Sequence, residues 1–448
     1  MSHRAPRIHR QRGLTLIELM VAMVLGLLVL AGVITVFMSI SASNKAQTQM
    51  AMLQESGRFA IYQLSEDIGM ANALYCSSSG GSPKSTGAGN PKLDELRAPT
   101  VFARGSALQA ALSDVTTAWG AGAYPAEPTQ TYALPEFFFM RGYDCGSTAC
   151  EPVDPTTSVP TIPAQGKEVG DRVVGSSVLT LRYVDPSSGW SIGEGGSSLA
   201  ASAGNATALG TINLSPKSGE PPVSDFGAGH LAMLADCSAA QVFSVTGQGS
   251  PTLTPLPAGS GNFDTPGVWT GLAGVRLFDF DRSFQTVTYF LQVVDIGDGR
   301  KTGALFRRVN GGDKQELVRG IERLGFRYGV MNSSGNTRFM TAKEVDEAST
   351  TECPAAAPAP EGGAASANRR GCLWRAVRSI EVSLVASGMR PLTSLSDSEM
   401  AYTSTLDDIT PPVPPANHQI KPDTDQGFEK KLLRREFTAL LDIRNFNP

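Results

Sequence analysis

The residues of this chain with the most obvious chemical potential are carboxylates, cysteines and one short basic cluster. Asp279 and Asp281 stand two apart beside a β-prone run, and Asp295 and Asp298 fall in a glycine-containing turn. Oxygen donors at that spacing can hold Ca²⁺, although solvating a turn is their commoner role. The six cysteines are Cys76, Cys145, Cys150, Cys237, Cys353 and Cys372. No Cys-x-x-Cys occurs, and beyond the N-terminal stretch only His230 and His418 could join them, which argues against a zinc centre. Phosphate-cradling Gly-x-x-x-x-Gly-Lys-Ser/Thr, zinc-binding His-Glu-x-x-His and dinucleotide-binding Gly-x-Gly-x-x-Gly are all missing. Lys430, Lys431, Arg434 and Arg435 read as a solvated strand entry rather than a nucleic-acid contact. Phe137-Phe138-Phe139 reads as a buried strand. No catalytic, cofactor-binding or metal-binding residues are assigned, and the chain does not read as an enzyme.

One further carboxylate is out of place. From Leu14 to Ile40 there are 27 residues, and Glu18 is the only charged one among them. As a helix this segment extends roughly 40 Å, enough to cross a bilayer core of about 30 Å. Arg4, Arg7, Arg10 and Arg12 precede it without an acid, which orients the N-terminus towards the cytoplasm. A glutamate inside such a segment costs about 2.5–3.5 kcal/mol on insertion scales and is expected to be paired and functional. A conventional secretory signal, cut near Ser39, Ser41 or Ala42, would have a shorter apolar core without a carboxylate. A plain membrane anchor accounts for the length and the arginine flank but not for Glu18.

Past the apolar run, Ala46, Met50, Leu53, Ala60, Ile61, Leu64 and Ile68 recur at three- and four-residue steps, the mark of an amphipathic helix. It is expected to end in the polar, glycine-rich stretch 77–90, giving one rod of about 60 residues, roughly 90 Å long. Gly26, Gly32 and Gly57 allow bending or close helix contact. Beyond residue 77 short β-branched and aromatic runs alternate with Gly/Ser/Pro loops. Strands are expected at 178–184, 230–235, 242–246, 275–280, 286–294, 304–309, 325–330, 380–385 and 437–443, the last two half-exposed and antiparallel. Segments 146–170, 186–225, 247–265, 351–371 and 387–428 read as loops decorating one face.

The 448 residues include 47 Gly and 29 Pro, so much of the chain is loop. An even cysteine count after a membrane-crossing segment suits an oxidising compartment and up to three disulfides. Six cysteines permit about 15 pairings. Spacing favours Cys145–Cys150 as a local bridge and Cys353–Cys372 across an Ala/Pro/Gly-rich loop, leaving Cys76 with Cys237; free buried thiols are the alternative.

Gly13-Leu14-Thr15-Leu16-Ile17-Glu18 resembles the class III signal of type IV pilins and pseudopilins. The resemblance implies that prepilin peptidase cuts between Gly13 and Leu14, that Leu14 becomes the N-methylated N-terminus, and that Glu18 is the assembly glutamate. Leu14 departs mildly from the family, which usually carries Phe or Met there. Removing the leader takes four arginines and no acid, moving the net charge from −4 to −8 (−4 minus 4). That balance argues against nucleic-acid partners. Three later stretches narrow the likeness to PilW-type minor pilins: Asp236-Cys237 through Thr246, Ala304-Leu305-Phe306-Arg307-Arg308 with Glu316 through Val330, and Arg434 through Asn445.

The resemblance implies an α+β, pilin-like fold, with a long N-terminal α-helix packed on an antiparallel β-sheet head carrying long loop insertions. The expected organisation is a leader (1–13), a transmembrane and filament-core helix (14–40), an amphipathic helical half (41–76) and a periplasmic β-rich head (77–448). It also implies a minor pilin, held in the inner membrane before assembly, that primes type IV pilus growth with other minor pilins and the major pilin and supports a tip adhesin. Two other readings stay open: a pseudopilin of a type II secretion system, and a membrane-anchored periplasmic binding protein.

Overall fold

The computed structural model describes residues 15–73, 75, 98–113, 118–120, 124–156, 162–193, 195–236, 239–269, 274–331, 336–348, 353, 370–392, 402, 404 and 420–444. Its first element is one uninterrupted helix, Leu16–Met70, of 55 residues and about 80 Å. Thr15 starts it as N-cap. From Leu16 through Ile40 every residue is exposed, so the apolar run is packed against none of the other described residues. The second half buries Gln49, Leu53, Gly57, Ala60, Leu64, Asp67 and Ile68 at three- and four-residue steps. The helix stops before the glycine-rich stretch expected to end it. Ala71 leaves helical backbone, Asn72 turns left-handed at φ 63°, and the Asn72 N–H donates to the Arg182 carbonyl at 3.0 Å. Docking on the head, rather than a run of breaker residues, ends the helix.

Among the described residues the head contains three sheets. The one beneath the helix is four-stranded and antiparallel, ordered Thr337–Met340, Ile321–Met331, Val377–Ser387, Arg434–Asp442. The Val377–Ser387 strand is central, flanked by a strand on each side, and nearly all buried, not half-exposed; Arg434–Asp442 at the edge keeps the alternation. A second sheet runs Lys314–Arg319, Lys301–Val309, Phe284–Asp295, Val178–Val184, Met140–Cys145, Cys150–Glu151. The third joins Trp190–Ser191, Arg276–Asp279, Leu231–Ala235, Ala240–Thr246, Thr252–Pro255, Asn205–Asn213 and Ser198–Ser202.

Each of the nine strand segments expected from the sequence is present, Val178–Val184 with the expected ends and the others with shifted ones, but three segments read as loops are not decoration: 146–170 supplies Cys150–Glu151 to the second sheet. Residues 186–225 and 247–265 supply strands of the third sheet, and Trp190, Leu209, Ile212, Leu214, Phe226 and Leu253 build a second core there. Their apolar residues are sparse and set among Ser, Ala and Gly, so periodicity did not betray them. Phe137 and Phe138 are buried as expected, yet in a 3₁₀ turn (Glu136–Phe138) entered through Pro135 rather than in a strand.

Candidate assembly site: the helix start and its seat

The sequence pattern that places Thr15 three residues before Glu18 closes a reciprocal capping box. Glu18 N–H donates to Thr15 Oγ1 at 3.3 Å, while the Glu18 carboxylate accepts from the Thr15 N–H at 3.0 Å and hydroxyl at 2.9 Å. The carboxylate therefore lies at the positive end of the helix, where backbone dipoles favour an anion. Gly13 and Leu14 lie outside the described residues. Next to this polar cap stands the bare apolar rod, which needs lipid or other helices against it.

The other end is held by a polar clamp. Asp67 falls on the buried stripe of the helix and accepts Tyr183 Oη at 2.7 Å, Tyr289 Oη at 2.6 Å, Arg307 Nε at 2.7 Å and Arg307 Nη2 at 3.1 Å. The three donors come from three adjacent strands of the second sheet. Burial by itself pushes the Asp67 carboxyl up, but hydrogen bonds from Arg307, Tyr289 and Tyr183 and the Arg307 charge bring it below the ordinary carboxylate value. Further along, Gln49 Oε1 accepts Met389 N–H at 3.0 Å and Arg390 N–H at 3.2 Å, and Arg444 N–H donates to the Gly69 carbonyl at 3.1 Å. A Cβ on Gly57 would stand 2.6–2.8 Å from the Phe437 ring, so glycine lets that strand approach the helix.

The remaining residues singled out from the sequence divide clearly. Cys145–Cys150 and Cys353–Cys372 are disulfides. Cys76, Cys237 and His418 lie outside the described residues. Asp295 accepts the Gly297 N–H at 2.8 Å, an ordinary turn. Arg434 is not solvated: 3 % exposed, it forms an ion pair with fully buried Glu322 (2.6 Å) and donates to the Glu429, Lys430 and Leu432 carbonyls. Asp279 and Asp281 are brought together, with His230 beside them.

Sequence reasoning missed both helix clamps and a second ion-pair centre. Asp346, fully buried, accepts Tyr124 Oη at 2.8 Å, Arg370 Nε at 2.7 Å and Trp374 Nε1 at 3.2 Å, and pairs with Arg141 at 3.2 Å. It also passed over Gly189-Trp190-Ser191-Ile192-Gly193, which fits the Gly-x-Ser-x-Gly pattern of serine hydrolases. The structure gives that serine another role. Ser191 sits in a two-residue strand rather than a strand-to-helix turn, and its N–H (2.9 Å) and hydroxyl both donate to Glu220. Among the described residues no imidazole is hydrogen-bonded to Ser191, so the pattern does not mark a serine–histidine pair here.

Comparison with known proteins agrees with this geometry at both ends. Residues 288–445 match the family model described as Type IV Pilus-assembly protein W. Residues 8–34 match the Prokaryotic N-terminal methylation motif. No curated protein and no solved structure matches the chain. The first match spans the whole four-stranded sheet on which the helix is seated and, at one edge of the second, Lys314–Arg319, Lys301–Val309 and most of Phe284–Asp295. The second spans the capping box and most of the bare apolar rod. The helix thus opens on an N-terminal methylation motif, and a region similar to the Type IV Pilus-assembly protein W model forms the sheet beneath its far half.

Proposed function

We propose that the protein is a minor pilin that primes type IV pilus growth together with other minor pilins. The observation that carries this reading is the exposed run Leu16–Ile40, continuous with a helix firmly clamped to a folded head and interrupted by one carboxylate. Before assembly that run spans the inner membrane, with the arginine-rich leader in the cytoplasm and the head in the periplasm. Prepilin peptidase removes residues 1–13, and Leu14 carries the methylated amine. On extraction the rod exchanges lipid for neighbouring rods, keeping its apolar surface out of water.

Within the bundle Glu18 meets the N-terminal amine of an adjacent subunit. In a water-poor setting that pairing offsets the desolvation of both charges and sets axial register. Thr15 already supplies two donors to the carboxylate, so the amine completes the set rather than replacing it. Glu18→Ala is expected to remove the protein from sheared filaments while leaving its level and disulfides in the membrane fraction unchanged. Wild-type amounts of Glu18→Ala in the filaments would refute the proposal.

A further inference from the structure

His230, Asp279 and Asp281 converge where two of the sheets meet. Leu231–Ala235 and Arg276–Asp279 pair antiparallel with Ala232 opposite Asp279. The ladder ends at that pair: His230 immediately precedes its strand, and Asp281 lies in the helical turn Phe280–Ser283 that follows Asp279. His230 Nδ1 lies 2.8 Å and 2.9 Å from the Asp279 carboxylate oxygens, and Asp279 also accepts the Gly227 N–H at 3.0 Å. Asp281 accepts the Leu231 N–H at 2.7 Å. One ligand atom from each residue lies within 4.8 Å of the other two.

The charge balance at this point is unusual. The Asp279 side chain is almost wholly buried, and among the described residues no lysine or arginine forms an ion pair with Asp279 or Asp281. The nearest arginine in sequence, Arg282, is turned to Asp225 at 3.1 Å. Two carboxylates and an imidazole facing one point, with nothing but that imidazole to balance them, form a donor set suited to a divalent cation.

We infer that His230, Asp279 and Asp281 bind a divalent first-row transition metal, Zn²⁺ being the probe of choice, at the joint between the second and third sheets. An imidazole nitrogen with two carboxylate oxygens favours such an ion over Ca²⁺, which takes six to eight oxygens. With bonds of about 2.1 Å, tetrahedral ligand atoms lie roughly 3.4 Å apart, so His230 Nδ1 and the Asp279 carboxylate part by about half an ångström from their 2.8 Å contact to admit the ion, with Asp281 completing the set from within 4.8 Å. The imidazole takes the tautomer with its proton on Nε2, leaving the Nδ1 lone pair for the metal. Water fills the remaining position, reached past the His230 side chain, which is 36 % exposed. The ion ties the entry of the Leu231–Ala235 strand to the Phe280–Ser283 turn, through which the chain passes from the third sheet into the Phe284–Asp295 strand of the second.

The test uses the full-length protein in detergent micelles, purified without a histidine tag and stripped with EDTA. Zn²⁺ is titrated against a chromophoric chelator. One saturable site per chain is expected, with micromolar or tighter affinity, at least tenfold weaker in Asp281→Asn and in His230→Gln, and not displaced by equimolar Ca²⁺. A readout on the wild-type protein keeps the test decisive should a variant misfold: Zn²⁺ should suppress diethyl pyrocarbonate modification of His230, read by peptide mass spectrometry. Absence of saturable binding, unchanged affinity in either folded variant, displacement by equimolar Ca²⁺, or undiminished modification of His230 would each overturn the inference.

Discussion

Replacing Asp67 by asparagine is a close probe of how the helix is held on its head. The substitution keeps the shape and changes one oxygen to an amide. In the native clamp each carboxylate oxygen accepts two donors: Oδ1 from Tyr183 and Arg307 Nη2, Oδ2 from Tyr289 and Arg307 Nε. Whichever side the amide takes, its NH₂ faces an arginine N–H, which cannot accept, and a tyrosine hydroxyl, which must turn to do so, so a charge-assisted hydrogen bond is lost and the arginine loses its counter-charge. Charge-assisted hydrogen bonds contribute about 1.5–3 kcal/mol each, and breaking a buried pair costs about 3–5 kcal/mol. The Arg307 side chain keeps 21 % exposure and is partly rescued by water, which places the cost near the lower bound, about 3 kcal/mol. For a chain of this size about 2 °C per kcal/mol is expected, hence a fall of about 6 °C in the thermal midpoint at pH 7.

The same clamp makes a signed pH prediction. The folded-state carboxyl is depressed below its ordinary value of 3.8, so its contribution is fully present above that value and is lost as pH falls through the folded-state value. The amide of the Asp67→Asn variant does not titrate. The gap between wild type and Asp67→Asn should therefore be full at pH 7 and close progressively below pH 3.8. Tyr289→Phe, which removes one neutral donor, should cost about 1 kcal/mol. Thermal scans of full-length protein in micelles, followed by tryptophan fluorescence, measure all three. A midpoint for Asp67→Asn within 1 °C (about 0.5 kcal/mol) of wild type at pH 7, or a gap that widens in acid, would refute the reasoning.

Two other perturbations bear on the same seat. Gly57→Val pushes branched carbon into the Phe437 ring and should lower stability by about 1–3 kcal/mol, with Phe437→Ala in the same chain recovering part of the loss; additive losses in thermal scans would show that the approach is not tight. Glu322→Ala leaves Arg434 buried without its partner and should cost about 3–5 kcal/mol, whereas replacing both residues by apolar ones should cost much less; equal costs by chemical denaturation would count against an uncompensated charge as the cause.

The helix was legible because both of its signals are periodic over tens of residues: an apolar run without breaks, then a stripe at three- and four-residue steps. Strands such as Val178–Val184 and Phe284–Asp295 were legible because β-branched and aromatic residues cluster there. The third sheet was only half legible. Its outer strands, Ser198–Ser202 and Asn205–Asn213, carry Ser, Ala and Thr on exposed faces and bury few side chains, so nothing local distinguishes them from loop. Asp67 did leave a trace. It follows Leu53, Ala60 and Leu64 on the apolar stripe, and a carboxylate in such a place must find partners in the head. Which partners it finds depends on three strands more than a hundred residues away, and a single sequence does not specify that pairing. Arg434 was misplaced for a related reason: its neighbours Lys430 and Lys431 suggest solvent, whereas its partner Glu322 comes from another strand.

The proposed function requires the rod to be trimmed before it assembles. Intact-mass and N-terminal peptide mass spectrometry of the protein from pilus-bearing cells tests this most directly. The expected product begins at Leu14 with 14 Da (roughly one CH₂) added to its amine and all of Leu16–Ile40 retained. A chain that still starts at Met1, or one that starts near Ala42, would contradict it.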